Sequence, residues 1–366
     1  MARNLNKIEK LLAERSLAGD RSYYYFHPSQ LGDCPKQLAL RKLGISTDDD
    51  LEYRTQRKFQ VGHSLHADIQ GYFRDTGLLM TDKVVNIEKG ASTVHKDKTG
   101  QWAKRIIVTG ESGRKYPYIP GSCVWIEGFD KNNPNTRIED VKAGNSIYLA
   151  EIPIEVPALH MAGHVDGLIL DNGEPCVLEI KSINKDGFLR LFFNSKAVGH
   201  YKHDEMNDRI CHVCGWKKTM TSNMAKHLVE EHYNYAEPQE KHIIQANAYM
   251  YALNIQKTLF WYENKDNQEV FDVIIKRDDD LIKKLKKYCN DLWDIVEVYE
   301  DPEKIGDGKP PLPAMPDWAI SGGKNNFKCI FCPYNYFCWD ENGEINSWQA
   351  AIRKSEFYGK GKRDNG

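Results

Sequence analysis

No stretch of this chain approaches 18 consecutive apolar residues, so nothing in it reads as a membrane-spanning helix. The opening residues, MARNLNKIEKLLAERS, are charged and amphipathic and lack the apolar core of a signal peptide. The expected compartment is therefore the cytoplasm (a host's cytoplasm if the gene is a phage's), and no membrane contact is expected. No internal repeat is visible, so the chain does not read as an array of stacked units. A dominant charge is also missing. The 50 Lys and Arg nearly balance the 52 Asp and Glu, for a net charge of −2. Any nucleic-acid contact must then come from local patches, not from the field of the whole molecule. What is present is ample core material. With 41% hydrophobic residues, 366 residues suffice for one large domain or two ordinary ones.

The nine cysteines are an odd number, and five fall in two tight groups, at 211/214 and 329/332/338. In a cytosolic chain such spacings read as metal ligands before disulfides. Cys123, Cys176 and Cys289 read as ordinary buried thiols.

Along the chain, residues 5–15 read as a short helix, and Pro28-Ser29 opens a second one through Leu43, with Cys34 near its start. Over 54–75, Phe59, Gly62, Leu65, Ile69 and Phe73 fall on one helical face, with His66 beside it. The character then turns to β. Val84-Val85, Arg105 to Thr109, Cys123 to Ile126, Glu151 to Val156, Met161 to Leu170 and Val177 to Ile183 are strand-like, separated by Gly, Pro and Asn. Residues 186–240 are polar. A helix over about 239–253, strands Leu259–Tyr262 and Val270–Ile275, and an amphipathic helix Asp278–Tyr299 follow. The Pro-rich run 302–316 is a linker, and the tail from 354 reads as loose.

The most informative stretch is 161–183, MAGHVDGLILDNGEPCVLEIKSI. Asn172-Gly173 is a two-residue hairpin signal between two apolar strands. That turn places Asp171 opposite Glu174, and hence Asp166 opposite Glu179. Lys181, two residues on, shares their face. A three-residue loop would shift the register by one. Two opposed carboxylates repel unless a cation lies between them, and oxygen ligands suit Mg²⁺ or Mn²⁺. A neighbouring lysine can orient or deprotonate a water and offset phosphate charge. These are the parts of metal-assisted phosphodiester hydrolysis. A bare Glu-x-Lys says little; an aspartate in matching register makes it more specific.

Cys211-x2-Cys214-x12-His227-x4-His232 has the spacing of a two-Cys, two-His zinc finger and predicts bound Zn²⁺. Lys218 stands where such fingers carry an aromatic residue and Met224 where they carry Leu; Trp216 is a substitute core. In the usual docking mode Met220, Asn223 and Lys226 would face bases. Yet residues 202–232 hold five Lys/Arg and five Asp/Glu, a poor phosphate-binding surface. A structural role or a protein partner is at least as well supported as DNA.

Taken together, these residues make the chain resemble the RecB-like branch of the PD-(D/E)XK nucleases, including the CRISPR-associated exonucleases with iron–sulfur clusters. Four motifs match in order: Gly62-His63-Ser64-Leu65-His66, Gly163-His164-Val165-Asp166, Glu179-Ile180-Lys181, and Gln245-Ala246-Asn247-Ala248-Tyr249. Cys34 together with Cys329-x2-Cys332-x5-Cys338 matches the family's split four-cysteine cluster. The likeness spans roughly 28–182 and 240–340; the finger between them departs from the family's usual continuity. The resemblance implies Asp166 and Glu179 as metal ligands, His66 as a further ligand, Lys181 as the catalytic lysine, and Gln245 and Tyr249 as residues positioning DNA or the site. Glu151 and Glu155, on the preceding strand, are further candidates for the metal. Four thiolates suit an iron–sulfur cluster or Zn²⁺, and the resemblance favours iron, as a 4Fe-4S cluster in a structural role. Pro333, Tyr334, Tyr336, Phe337 and Trp339 would form its apolar shell.

The expected fold is α/β, a restriction-endonuclease-like central mixed sheet flanked by helices, with a zinc-finger insertion and a C-terminal iron–sulfur subdomain. The expected divisions are an N-terminal helical region (1–53), a nuclease core in two parts (54–201 and 236–300) around the finger (202–235), the linker and cluster region (301–345), and a polar tail (346–366). The expected function is a DNA exonuclease acting on single strands or ends, in recombination, repair, or phage or CRISPR-type DNA processing. Two rivals stay open: a non-catalytic module in which the metals scaffold a nucleic-acid or protein surface, and a nuclease acting on RNA. The intact Asp166, Glu179 and Lys181 set argues against the first.

Overall fold

A computed structural model describes residues 25–43, 53–80, 84–96, 102–118, 124–126, 147–149, 151–193, 209–210, 217–218 and 236–300, with the single residues 227, 231, 329, 332, 334, 338, 339 and 342. The expected helix at 5–15, the linker at 302–316 and the tail from 354 lie outside the described residues.

The expected helix from Pro28 to Leu43 is two pieces. A 3-10 turn spans Pro28–Gln30, and helix α1 spans Pro35–Lys42. Pro35 explains the break. The residue before a proline is pushed out of the helical region, and Cys34 is extended, with φ −62° and ψ 125°. Pro35 then takes the first helical position, where its missing N–H costs nothing. Cys34 is left as the N-cap.

Helix α2 spans Tyr53–Asp75, close to the expected range. Strands β1 (Val84–Lys96), β2 (Trp102–Gly110) and β3 (Lys115–Tyr118) form an antiparallel sheet; β1 is far longer than the Val84-Val85 pair read from sequence, and β3 was not anticipated. Strands β4 (Val124–Ile126) and β5 (Ile147–Leu149) pair with each other, as do β6 (Ile152–Val156) and β7 (Met161–Val165). Strands β8 (Gly167–Asp171) and β9 (Glu174–Ile183) follow. Helix α3 (Lys185–Phe193) lies within the stretch read as merely polar, and it buries Phe188 and Leu191 completely. Beyond the two-residue strands β10 (Arg209–Ile210) and β11 (Lys217–Lys218) come α4 (Glu240–Leu253), β12 (Lys257–Asn264), β13 (Val270–Lys276) and α5 (Asp279–Glu300).

The central sheet runs β13-β12-β9-β8. β9 and β12 are parallel; the other two pairs are antiparallel. The fold is thus mixed α/β. A parallel pair needs a crossover connection, and residues 184–256 supply it, with the finger segment inside. β9 alternates its side chains between two packed faces. Cys176, Leu178 and Ile180 meet Ile69 and Phe73 of α2 on one face. Val177 on the other joins Ala248, Tyr249 and Met250 of α4, in a core that also takes in α1, α5, β6 and β7. Glu179 and Lys181 share that second face and look toward α4. Among the described residues, no helix is long and apolar enough to cross a membrane.

The expected single strand Met161 to Leu170 is two strands. β7 pairs with β6 and β8 with β9, and the chain bends at Asp166 between them. Its continuous apolar pattern concealed a change of partner.

Candidate active site

The β8–β9 hairpin turns at Asn172 and Gly173, both with positive φ, 52° and 81°. Two consecutive left-handed residues are what a two-residue type I′ turn needs, and Asn-Gly adopts it most readily. The register follows, from Asp171 opposite Glu174 to Gly167 opposite Leu178. Asp166 lies one residue beyond the last pair, so it is not the cross-strand partner of Glu179 as the sequence implied. The bend redirects it. Its Oδ2 accepts the Ile180 N–H at 2.7 Å, and its Oδ1 lies 3.4 Å from His66 Nδ1 of α2. Its backbone oxygen accepts from Gln70 Nε2 at 2.6 Å.

Glu179 is nearly inaccessible, at 1% exposure. Its Oε1 pairs with the Lys181 ammonium. Lys181 Nζ also donates to Gln245 Oε1 at 3.0 Å, and Gln245 Nε2 donates to the Tyr249 hydroxyl at 2.9 Å. Gln245 and Tyr249 are one helical turn apart on α4, so both reach β9. Two of the four motifs are therefore joined by one chain of polar contacts onto Glu179; the aspartate motif joins through Asp166 at the Ile180 N–H, and the helical motif through His66 at Asp166. Glu151 is close enough for its charge to act on Tyr249.

The two carboxylates are pushed in opposite directions. Burial raises the Glu179 carboxyl, and the Asp166 charge adds to this; Lys181 only partly compensates, leaving it at about 7. Burial also opposes ionisation of Asp166, but His66, Lys181 and the Ile180 N–H outweigh it and hold Asp166 below its ordinary value. His66 is raised because the Asp166 charge and hydrogen bond overcome its burial. Sites that separate two carboxylates in this way commonly divide acid and base work between them.

Sequence reasoning missed three neighbours. Gln70 follows His66 by one turn on the same face of α2. His242 Nδ1 and the Tyr262 hydroxyl are hydrogen-bonded at 2.9 Å, and Tyr262 stands opposite Lys181 in the parallel ladder. Burial, Lys181 and Lys241 push His242 down to about 2, so it is neutral.

The Glu179 Oε2 atom is buried without a hydrogen-bond partner among the described residues. A buried carboxylate oxygen left in that state is costly and fits a cation, with His66, Asp166 and Glu179 as the donors at hand. Among the described residues no group of three or more His, Cys, Asp or Glu side chains is gathered closely enough to hold an ion as it stands.

Cys34, Cys329, Cys332 and Cys338 form no disulfide. Every pair among the four is within electrostatic reach, although Cys34 lies at the opposite end of the sequence. Burial raises the Cys34 thiol, and the N–H groups of Gln37 and Lys36 partly offset this. Burial pushes Cys338 up to about 12. Tyr334 and Trp339 are buried beside them; Pro333, Tyr336 and Phe337 lie outside the described residues. Cys329 is buried and the other three thiols are half-buried; like the carboxylates, they are not gathered closely enough to hold a single ion as they stand.

Of the finger ligands only His227 is described; Cys211, Cys214 and His232 lie outside the described residues, as do Trp216, Met220, Asn223, Met224 and Lys226. β10 and β11 pair as an antiparallel hairpin flanking the two cysteines, Ile210 opposite Lys217. Cys176 and Cys289 are completely buried, as expected; Cys123 lies outside the described residues.

No protein-family model matches the chain, and no curated protein matches it. Among solved structures, an alkaline exonuclease from Laribacter hongkongensis, LHK-Exo, aligns at 16% identity over 41% of this chain and 57% of its own, with a TM-score of 0.24. LHK-Exo in complex with dAMP aligns at 18% identity over 41% and 60%, with a TM-score of 0.23. The crystal structure of SSO0001 aligns at 11% identity over 92% of this chain and 96% of that chain, with a TM-score of 0.37. The chain thus spans less than two thirds of the exonuclease it matches. At such scores the alignments carry no argument about activity, which must rest on the site itself.

Proposed function

We propose that this protein is a divalent-metal-dependent DNA nuclease, an exonuclease acting on single strands or ends, of the restriction-endonuclease-like PD-(D/E)XK type. The observation that carries the reading is the buried Glu179, with one orphaned carboxylate oxygen, and the half-buried Asp166 at the bend before β8, gathered with Lys181 of β9 and His66 of α2. A surface strand with ordinary charges has no reason to bury one carboxylate beside a second, half-buried one.

Asp166, Glu179 and His66 would hold Mg²⁺ or Mn²⁺. When bound, such an ion supplies an acidified water and neutralises phosphate charge. The chain's own residues do the rest. Lys181 carries positive charge beside the carboxylates, where it offsets charge on a phosphate oxygen and orients a water. Gln245 fixes the Lys181 ammonium, and Tyr249 fixes Gln245. The buried, neutral His242–Tyr262 pair adds no charge of its own beside Lys181.

The same reading assigns an iron–sulfur cluster, of the 4Fe-4S kind, to Cys34, Cys329, Cys332 and Cys338, and Zn²⁺ to Cys211, Cys214, His227 and His232. The donor sets support both. The finger's balanced charge favours a protein partner over DNA for that segment.

The test is purified protein on end-labelled single- and double-stranded DNA with Mn²⁺ or Mg²⁺, alongside labelled RNA. Metal-dependent release of short products from DNA, lost in Glu179→Ala, is the expected result. Full cleavage by a folded Glu179→Ala protein, or cleavage of RNA alone, overturns it.

A further inference from the structure

Asp166 belongs to neither neighbouring ladder. The β6–β7 pairing ends at Val165 opposite Ile152, and the β8–β9 pairing starts at Gly167 opposite Leu178. The backbone carbonyl of Asp166 therefore has no strand partner, and in its half-buried setting it needs a donor from elsewhere. Gln70 provides it: Nε2 donates to that oxygen at 2.6 Å, and the side chain is 3% exposed.

Gln70 follows His66 by four residues on α2, so the two side chains leave the same helical face. His66 reaches the Asp166 carboxylate and Gln70 its main chain. The Ile180 N–H holds the second carboxylate oxygen. Three donors from two elements thus fix one residue. They differ in one respect: the donors to the carboxylate compete with any cation for its lone pairs, whereas Gln70 does not touch the carboxylate. Its grip is available whether or not a cation is bound.

We infer that Gln70 is a positioning residue: by holding the bend at Asp166 it aims the Asp166 carboxylate at the cation site. The inference rests on the metal-site reading given above. A buried glutamine that merely satisfied a carbonyl would contribute to stability and nothing more. A positioning role requires in addition that cation affinity and turnover change when the donor is removed.

The test uses the full chain, Mn²⁺ as the probe and Gln70→Met, which keeps the length of the side chain and removes the donor. Mn²⁺ binding is measured by calorimetry, and kcat and KM on a labelled single strand by single-site kinetics. Mn²⁺ affinity should weaken on the order of tenfold, the scale of losses when the groups supporting metal ligands are removed. kcat at fixed Mn²⁺ should fall, with KM for DNA unchanged. Gln70→Asn, which keeps the amide but withdraws it by one methylene, should show the same pattern and serves if Gln70→Met does not fold. Lower thermal stability with Mn²⁺ affinity and kcat unchanged overturns the inference and leaves the metal site standing. Wild-type protein that binds no Mn²⁺, or binds it equally well with Asp166→Ala, overturns the metal-site reading and this role with it.

Discussion

At the scale of single residues, Glu179 and Asp166 show how one environment can treat two carboxylates differently. Asp166 has a histidine, a backbone N–H and the field of Lys181 to favour its charge. Glu179 is more deeply buried, and against that burial only Lys181 and, more weakly, His66 favour its charge. Replacing Asp166, Glu179 or Lys181 by alanine should each cut metal-dependent cleavage by about 10²-fold or more, the usual scale for acid–base groups. The carboxylate changes should also weaken Mn²⁺ binding, while Lys181→Ala should largely spare it; paired calorimetry and cleavage assays separate the two effects. The shift at Glu179 also predicts a pH effect in metal-free protein. With its folded value raised to about 7 from an ordinary 4.5, the folded state binds the extra proton. Stability from this group is therefore present at acid pH and lost as pH rises through the interval from 4.5 to 7. Its scale is on the order of 3 kcal/mol. Measured with chelator, the gap in unfolding free energy between wild type and Glu179→Gln should shift against wild type across that interval. A gap that stays constant with pH would show that Glu179 is not strained toward its neutral form.

At the scale of elements, the site depends on how closely the N-terminal segment approaches β7. Phe26 bridges to Met161, and Phe26 N–H donates to the His160 carbonyl at 2.7 Å. A Cβ at Gly163 would stand 2.6 Å from Cδ of Pro28, a ring carbon with little freedom to yield. Gly163→Ala should therefore destabilise the fold by about 1–3 kcal/mol, the cost of overpacking, and loosen the strand that leads into Asp166. Thermal unfolding and Mn²⁺ affinity should fall together; unchanged unfolding would mean that the turn at Pro28 can move aside. Much of this scale was legible in the sequence, for local reasons. Asn172-Gly173 encodes both its turn and the register beyond it. The helices α2, α4 and α5 carry their own periodicity. What escaped reading depended on partners. Met161 to Leu170 is apolar throughout because both halves are buried, and nothing in that run says that β7 and β8 join different strands. The break before α1 was in principle visible, since Pro35 forbids a helical Cys34. Gln70 could be seen as a helical residue but not as a ligand of a carbonyl 96 positions away.

At the scale of the whole molecule, the three proposed metal sites differ in how far along the chain their ligands lie. The four-cysteine group draws Cys34 to Cys329, so it would close nearly the entire chain, and Cys34→Ala should lose bound iron as completely as Cys332→Ala. Iron retained in full by Cys34→Ala would break that closure. The finger is the opposite case. Its ligands, from Cys211 to His232, are near neighbours in sequence, and its segment falls in the stretch of sequence between β9 and β12, separate in sequence from Asp166, Glu179 and Lys181. A compact site of this kind can fold around Zn²⁺ by itself. Cys214→Ser should therefore release zinc while leaving iron content near normal. Mn²⁺-dependent cleavage of a short single strand should persist, because Asp166, Glu179, Lys181, His66, Gln245 and Tyr249 come from α2, β9, α4 and the bend before β8 and not from the finger segment. What should change is binding to a partner protein, in keeping with the segment's balanced charge, or affinity for long or structured DNA. Metal analysis of the Cys214→Ser protein, with cleavage assays on short and long strands, distinguishes these outcomes. Loss of cleavage on the short strand with iron retained would place the finger in the substrate channel and remove its independence from the core.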